Sequence, residues 1–249
     1  MPRILVTGAS SGFGLAIAQT FLSEGWEVVA TMRDVNANQL PATDGLEVLP
    51  LDVTHAQSIN SAIAAAGPLH ALVNNAGVGM LNVLEGADIG KVRELFETNV
   101  IGAFAMTKAV LPQMRERRAG VIVNVSSSVT LKPFPALSIY SASKAALNAF
   151  TESLAIEAAL FGVRTRLVLP GSAPATSFGK NAVSRMGMDI PEPYTDFVHD
   201  YLAGLRSSTE VTTSENVAQA VWQAVTNENS PMRIPAGADA WTLAARDAG

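Results

Sequence analysis

Apolar and polar positions follow two different rhythms along this 249-residue chain. Short apolar runs stand at residues 4–7, 27–31, 46–51, 69–73, 121–125 and 163–169. These runs have no consistently polar face, so each predicts a strand buried on both sides. Between them, apolar residues recur at the three- and four-residue spacing of a helix face. Residues 13–22 carry Leu15, Ala18, Phe21 and Leu22 in that pattern. Further helices are predicted over 55–66 (with Thr54 as N-cap), 89–117, 138–161 and 216–225, and a last short apolar piece lies near 232–235.

Strands without a polar face, alternating with helices, predict a parallel sheet covered on both sides. The fold class is α/β, a doubly wound, Rossmann-type sheet. No repeat or linker divides the chain, so 1–249 reads as a single domain. Residues 172–214 have weak periodicity and much Pro, Gly, Ser and Thr. They follow the carboxyl end of the sixth strand, where ligands bind in such sheets, and are expected to form a substrate lid.

Composition removes several classes of function. The chain is 48% hydrophobic and 16% charged, which suits a globular protein rather than a disordered one. A net charge of −5 and a pI near 5.2 argue against a nucleic-acid partner. With no cysteine, disulfides and thiolate chemistry are excluded. No apolar run is long enough to span a bilayer, and no leader pattern precedes the first strand, so a cytoplasmic location with no membrane partner is expected. His55, His70 and His199 have no metal-ligand spacing, so no metal site is expected. Trp26, Trp222 and Trp241 read as packing residues.

Two segments carry candidate chemistry. Thr7-Gly8-Ala9-Ser10-Ser11-Gly12-Phe13-Gly14 joins the first strand to the first helix. Glycines there allow a tight turn, and a helix N-terminus offers free N–H groups to a pyrophosphate. Packing alone also produces such turns. Tyr140 and Lys144 are four residues apart, on one helix face, downstream of Ser126, Ser127 and Ser128. An ammonium beside a phenol would lower its pKa and make it useful in acid–base chemistry, with a serine hydroxyl to hold the substrate oxygen. Taken alone, Tyr140 reads better as an ordinary half-buried helix residue, with Lys144 a solvated neighbour. Asn99 falls inside a predicted helix, where its side chain would bond backbone.

In order, the glycine loop, Asn74-Asn75-Ala76-Gly77, Asn99, Ser127, Tyr140-Ser141-Ala142-Ser143-Lys144 and Pro170-Gly171 closely resemble the short-chain dehydrogenase/reductase family, over about residues 3–171. The resemblance implies an NAD(P)-dependent enzyme acting on CH–OH groups. Tyr140 would exchange a proton with the substrate oxygen. Lys144 would lower the pKa of Tyr140 and bond the nicotinamide ribose. Ser127 would hold the substrate oxygen, and Asn99 would anchor a water in a proton relay. Gly8, Ser10, Ser11, Gly12, Phe13 and Gly14 would line the pyrophosphate loop. Asp52 and Val53 would flank the adenine, while Asn75, Ala76, Gly77, Pro170 and Gly171 would complete the cofactor site. A threonine usual in the family after Pro-Gly is replaced here by Ala175, with Thr176 one position later.

At the end of the second strand, the place where NAD-users of the family carry Asp is Met32, followed by Arg33. A guanidinium suits a 2′-phosphate, so NADP(H) is the expected cofactor, with NAD(H) as the alternative because Asp34 is adjacent. The substrate is expected to be a lipophilic or medium-sized ketone, aldehyde or alcohol. Phe178, Met186, Met188, Tyr194, Phe197 and Tyr201 would form its wall, with His199 a lesser candidate contact. A 3-oxoacyl thioester reductase and a non-catalytic NADP(H) sensor are the alternatives. Relatives pair through their two long helices, so a homodimer or homotetramer is expected. Ala142, Ala145, Ala146 and Ala149 would permit that close approach, or would face the chain's own sheet.

Overall fold

The computed structural model describes residues 1–176, 190–206 and 210–247. Seven strands form one parallel sheet: β1 Arg3–Thr7, β2 Glu27–Met32, β3 Leu46–Pro50, β4 Ala71–Asn74, β5 Gly120–Val125, β6 Val163–Pro170 and β7 Arg233–Ala236. Their order is β3-β2-β1-β4-β5-β6-β7. The apolar piece expected near 232–235 is thus the seventh strand, paired with β6. No helix among the described residues is long and apolar enough to cross a membrane.

Alternate residues of each strand enter different cores. Ile4, Val6, Val28, Ala30, Ala71, Val73, Val121 and Val123 face one side. Leu5, Val29, Leu72 and Ile122 face the other. Helices α1 Gly12–Ser23 and α7 Ser214–Thr226 cover the first side through Ile17, Phe21, Val217 and Val221. Helices α2 Ala56–Ala66, α4 Gly102–Arg117 and α5 Ser138–Ala159 cover the second with Ile59, Met106, Val110 and Leu154. Phe21 packs edge-on against Trp26 and Trp222, at centroid distances of 5.1 and 5.0 Å. Truncating such a buried ring costs about 3–5 kcal/mol. The third tryptophan departs from expectation: Trp241, on α8 Ala238–Asp247, is 58% exposed and is not a core residue.

Three other expectations change. β3 is an edge strand, and its residues are half-buried or exposed rather than covered on both faces. The N-cap of α2 is His55, not Thr54, because the Thr54 hydroxyl donates to Asp52 Oδ1 at 2.7 Å. The helix expected over 89–117 is α3 Ile89–Phe96, a π turn over Glu97–Ile101, and then α4. One inserted residue barely disturbs the apolar periodicity, so the interruption leaves little trace in the sequence.

Phe178, Met186 and Met188 of the expected lid lie outside the described residues. Tyr194 and helix α6 Thr195–Arg206 are described. Phe197 and His199 are exposed on α6, and Val198 is buried.

Candidate active site

The glycine loop leaves β1 and is anchored from two sides. Ala9 N donates to Thr31 O of β2 at 2.9 Å. Asn75, just past β4, donates through Nδ2 to Thr7 O and Gly8 O at 2.9 and 3.2 Å. The Thr7 hydroxyl accepts from the backbone N–H groups of Asn75 and Ala76, each at 2.9 Å. Gly14 lies so close to Gly8 that a Cβ there would overlap the Gly8 carbonyl. Ser11 is the N-cap of α1 but makes no side-chain cap bond, so the first amides of the helix remain available to an anion. Gln39 Nε2 donates to Ser10 O at 3.0 Å and ties the loop after β2 to the same turn.

The catalytic candidates converge beside this loop at the carboxyl end of β5. Tyr140 and Lys144 are 7% and 5% exposed. Lys144 Nζ lies 5.9 Å from the Tyr140 ring centroid and donates to Val125 O at 3.0 Å. A Cβ on Gly77 would stand 3.7 Å from Lys144 Nζ and 3.3 Å from Asn99 Oδ1, which places the Asn-Asn-Ala-Gly turn against both. Ser127 follows β5 and hydrogen-bonds the Tyr140 phenol. Its neighbour Ser126 turns inward and donates to Asn148 Oδ1 at 2.5 Å. Asn148 also donates to Thr130 Oγ1 at 3.0 Å, and Thr130 Oγ1 donates to Ser127 O at 2.8 Å. Asn148 thereby braces the serine turn. It escaped the sequence reading, although 140, 144 and 148 form a run at four-residue spacing on one helix face.

Asn99 sits in the π turn. Its Oδ1 accepts from Val78 N at 2.8 Å, and its Nδ2 donates to Val78 O and Ser143 Oγ at 2.9 and 3.3 Å. Ser143 in turn donates to Tyr140 O at 2.7 Å. The Asn99 side chain therefore bonds backbone across the site rather than within its own helix, and both amide hydrogens are spent there. Oδ1 keeps a second lone pair, so the relay water that the resemblance implies at Asn99 would not have to displace these bonds.

The electrostatics also differ from expectation. Burial pushes the Tyr140 phenol well above its ordinary value, and the Ser127 hydrogen bond acts the other way. Burial pulls the Lys144 ammonium down to about 8. The expected lowering of the phenol by Lys144 is thus not the net effect: at this depth, desolvation of the charged forms outweighs their attraction.

Farther out, Met32 is buried in the core and Arg33 is exposed at the end of β2. The Asp34 carboxylate accepts from Asn36 N and Nδ2, both at 3.0 Å, and so closes its own turn. Asp52 accepts from Thr54 N and Oγ1. Burial opposes its charge, but the Thr54 hydrogen bonds, with His55 and Arg33 nearby, hold it below the usual carboxylate value. Val53 is buried beside it. Pro170 ends β6, next to the serine turn through the Ser126 N to Val168 O bond of 2.8 Å. Beyond Gly171, the chain turns so that Thr176 lies over the glycine loop: a Cβ on Gly12 would be 3.7 Å from Thr176 Cβ. Thr176, not Ala175, is the residue brought to the site.

A nicotinamide dinucleotide fits this donor set, with uncapped helix amides, a side-chain-free cradle and a buried acid–base pair beside it. Comparison with known proteins agrees. Residues 2–186 match the short chain dehydrogenase family. YusZ, an uncharacterized oxidoreductase of Bacillus subtilis (strain 168), is 38% identical over 250 residues, covering 94% of this chain and 88% of that protein. Retinol dehydrogenase 8 of Homo sapiens is 35% identical over 251 residues, covering 93% and 80% respectively. A solved short-chain dehydrogenase from Streptomyces avermitilis aligns with a TM-score of 0.84 at 33% identity, covering 99% of this chain and 92% of that one. A solved short chain dehydrogenase from Burkholderia cenocepacia J2315, in complex with NADP, aligns with a TM-score of 0.82 at 26% identity, covering 100% and 93%. With the loop, the buried pair and these relatives together, the chain belongs to the short-chain dehydrogenase family of nicotinamide-dependent oxidoreductases.

Proposed function

We propose that the protein interconverts a ketone or aldehyde and an alcohol, with NADP(H) as the preferred cofactor and Tyr140 as general acid and base. The observation that carries this reading is the Ser127–Tyr140 hydrogen bond, with Lys144 Nζ 5.9 Å from the Tyr140 ring centroid. The bound cofactor supplies or accepts the hydride. Tyr140 gives its proton to the carbonyl oxygen as negative charge develops there, and Ser127 donates a hydrogen bond to the same oxygen. A phenol kept neutral by burial is in the form that reduction needs. Lys144 is held by Val125 O and would hydrogen-bond the nicotinamide ribose.

The NADP(H) preference rests on Arg33. The Asp34 carboxylate is occupied in its own turn, and Met32 is withdrawn into the core. A 2′-phosphate would therefore meet the Arg33 guanidinium, with the Asp34 carboxylate turned to Asn36. A lipophilic substrate is supported by the apolar wall of Met80, Leu95, Ile139, Val129 and Leu137 around Tyr140, and by the kinship with a retinol dehydrogenase. Self-association through α4 and α5 is part of the same proposal. Ala142, Ala145 and Ala149 point away from the chain's own sheet. A groove of about 390 Å³ between the two helices is lined by Phe104, Leu111 and Phe150.

The test is oxidation of NADPH and of NADH, side by side, against aliphatic, aromatic and steroidal ketones and a 3-oxoacyl thioester. Turnover of a lipophilic ketone favouring NADPH is expected. Preference for the thioester would move the substrate assignment, and tight nucleotide binding without turnover in either direction would favour a sensor.

A further inference from the structure

The two residues that follow β6 are held by groups from far along the chain. Gly171 N donates to Thr212 Oγ1 at 2.9 Å, and Ser172 N donates to Asp239 Oδ2 at 2.6 Å. Thr212 N returns a bond to Ser172 O at 2.7 Å. The Thr212 hydroxyl, on a residue only 1% exposed, lies 2.7 Å from Asp239 Oδ1 and 2.8 Å from Ala236 O. Two glycines make this packing sterically feasible. A Cβ on Gly171 would overlap the Asp239 carboxylate, and one on Gly237, where φ is +100°, would overlap the Thr212 hydroxyl. Asp239 itself sits in the first turn of α8, where the helix dipole favours its charge.

What this carboxylate fixes is the short bridge between the two halves of the site. On one side, β6 is bonded to the serine turn through Ser126 N. On the other, four residues past Ser172, Thr176 covers Gly12 of the glycine loop. We propose that Asp239, acting with Thr212, is a positioning residue that sets the Gly171–Ser172 backbone against the nicotinamide end of the cofactor. The inference rests on the nucleotide reading above.

The test compares binding of NADPH and NADH with binding of 2′-phospho-ADP-ribose and ADP-ribose, which lack only the nicotinamide. Titration calorimetry would be run on the wild type, Asp239→Ala, Asp239→Asn, Thr212→Val and Thr212→Ser. Loss of hydrogen bonds to a charged group predicts about tenfold or greater weakening of the preferred reduced cofactor in Asp239→Ala and Thr212→Val. The matching ADP-ribose fragment should keep its affinity within about twofold, since the adenine end is untouched. Thr212→Ser, which retains the hydroxyl, should behave as wild type. Should Asp239→Ala fail to fold, Asp239→Asn decides, because it keeps the shape and removes the charge. Equal weakening of cofactor and fragment would reduce Asp239 to general stability, and no weakening of either would remove its role; each result overturns the proposal. A wild type that binds the fragments but shows no added affinity for the intact cofactors also overturns it while leaving the glycine-loop site standing. A wild type that binds none of the four overturns the nucleotide reading itself.

Discussion

Ser127 and Tyr140 come from different elements, one from the turn after β5 and the other from the first turn of α5, and their hydroxyls are hydrogen-bonded in a buried setting. The pair defines where a substrate oxygen would sit, within reach of both. Replacing one preset donor at a developing oxyanion usually costs about a hundredfold to a thousandfold in rate. Ser127→Ala is therefore expected to lower kcat by about that factor, with KM for the nucleotide little changed. Steady-state kinetics at saturating cofactor checks it.

Lys144 gives a pH signature. Its ammonium is pulled down to about 8 in the folded protein, against 10.5 for the ordinary group. Between these values the unfolded chain binds more protons, so stability rises with pH. Tyr140, pushed above its ordinary value of 10.0, acts only beyond pH 10 and in the opposite direction. Between pH 8 and 10 the wild type should thus gain stability relative to Lys144→Met, by up to ~3 kcal/mol. Urea unfolding of the cofactor-free proteins at pH 7, 8, 9 and 10 measures the difference. A gap that stays constant would contradict the burial argument.

Arg33 is exposed, and the adjacent Asp34 carboxylate is engaged by Asn36. Arg33→Ala is expected to weaken NADPH by about tenfold to a hundredfold, as loss of a charge-assisted bidentate contact would, and to leave NADH almost unaffected. Equilibrium titration of both cofactors separates the two effects.

The outward face of α5 bears on assembly. Ala149 is exposed, and Phe150 stacks on Phe104 with centroids 4.0 Å apart. An arginine at position 149 would place a charge in a close helix contact. Ala149→Arg is expected to shift the protein to a monomer in sedimentation, with its fold retained by circular dichroism.

Period and spacing made part of the site legible in the chain. Tyr140 and Lys144 share a face because they are four residues apart, and the glycine loop stands where an apolar run gives way to a helical one. Contacts between distant residues were not legible. Thr7 clasps Asn75, Asn148 braces the serine turn, and Asp239 holds Ser172; no local pattern announces any of these bonds. Burial was hidden too. The sequence placed a cation beside a phenol and suggested a lowered pKa, but the depth of the pair reverses the direction. The π turn at Asn99 was masked because helix periodicity continues on both sides of one extra residue.

The central claim is that Tyr140 moves the proton while other groups hold the nucleotide. The most direct measurement is Tyr140→Phe, assayed for NADPH binding by titration and for ketone reduction under single-turnover conditions. The ring is preserved and only the hydroxyl is lost. The account predicts nearly unchanged binding and a rate lower by at least about a hundredfold to ten-thousandfold, the usual worth of a positioned general acid. A mutant that reduces the ketone at the wild-type rate would contradict it.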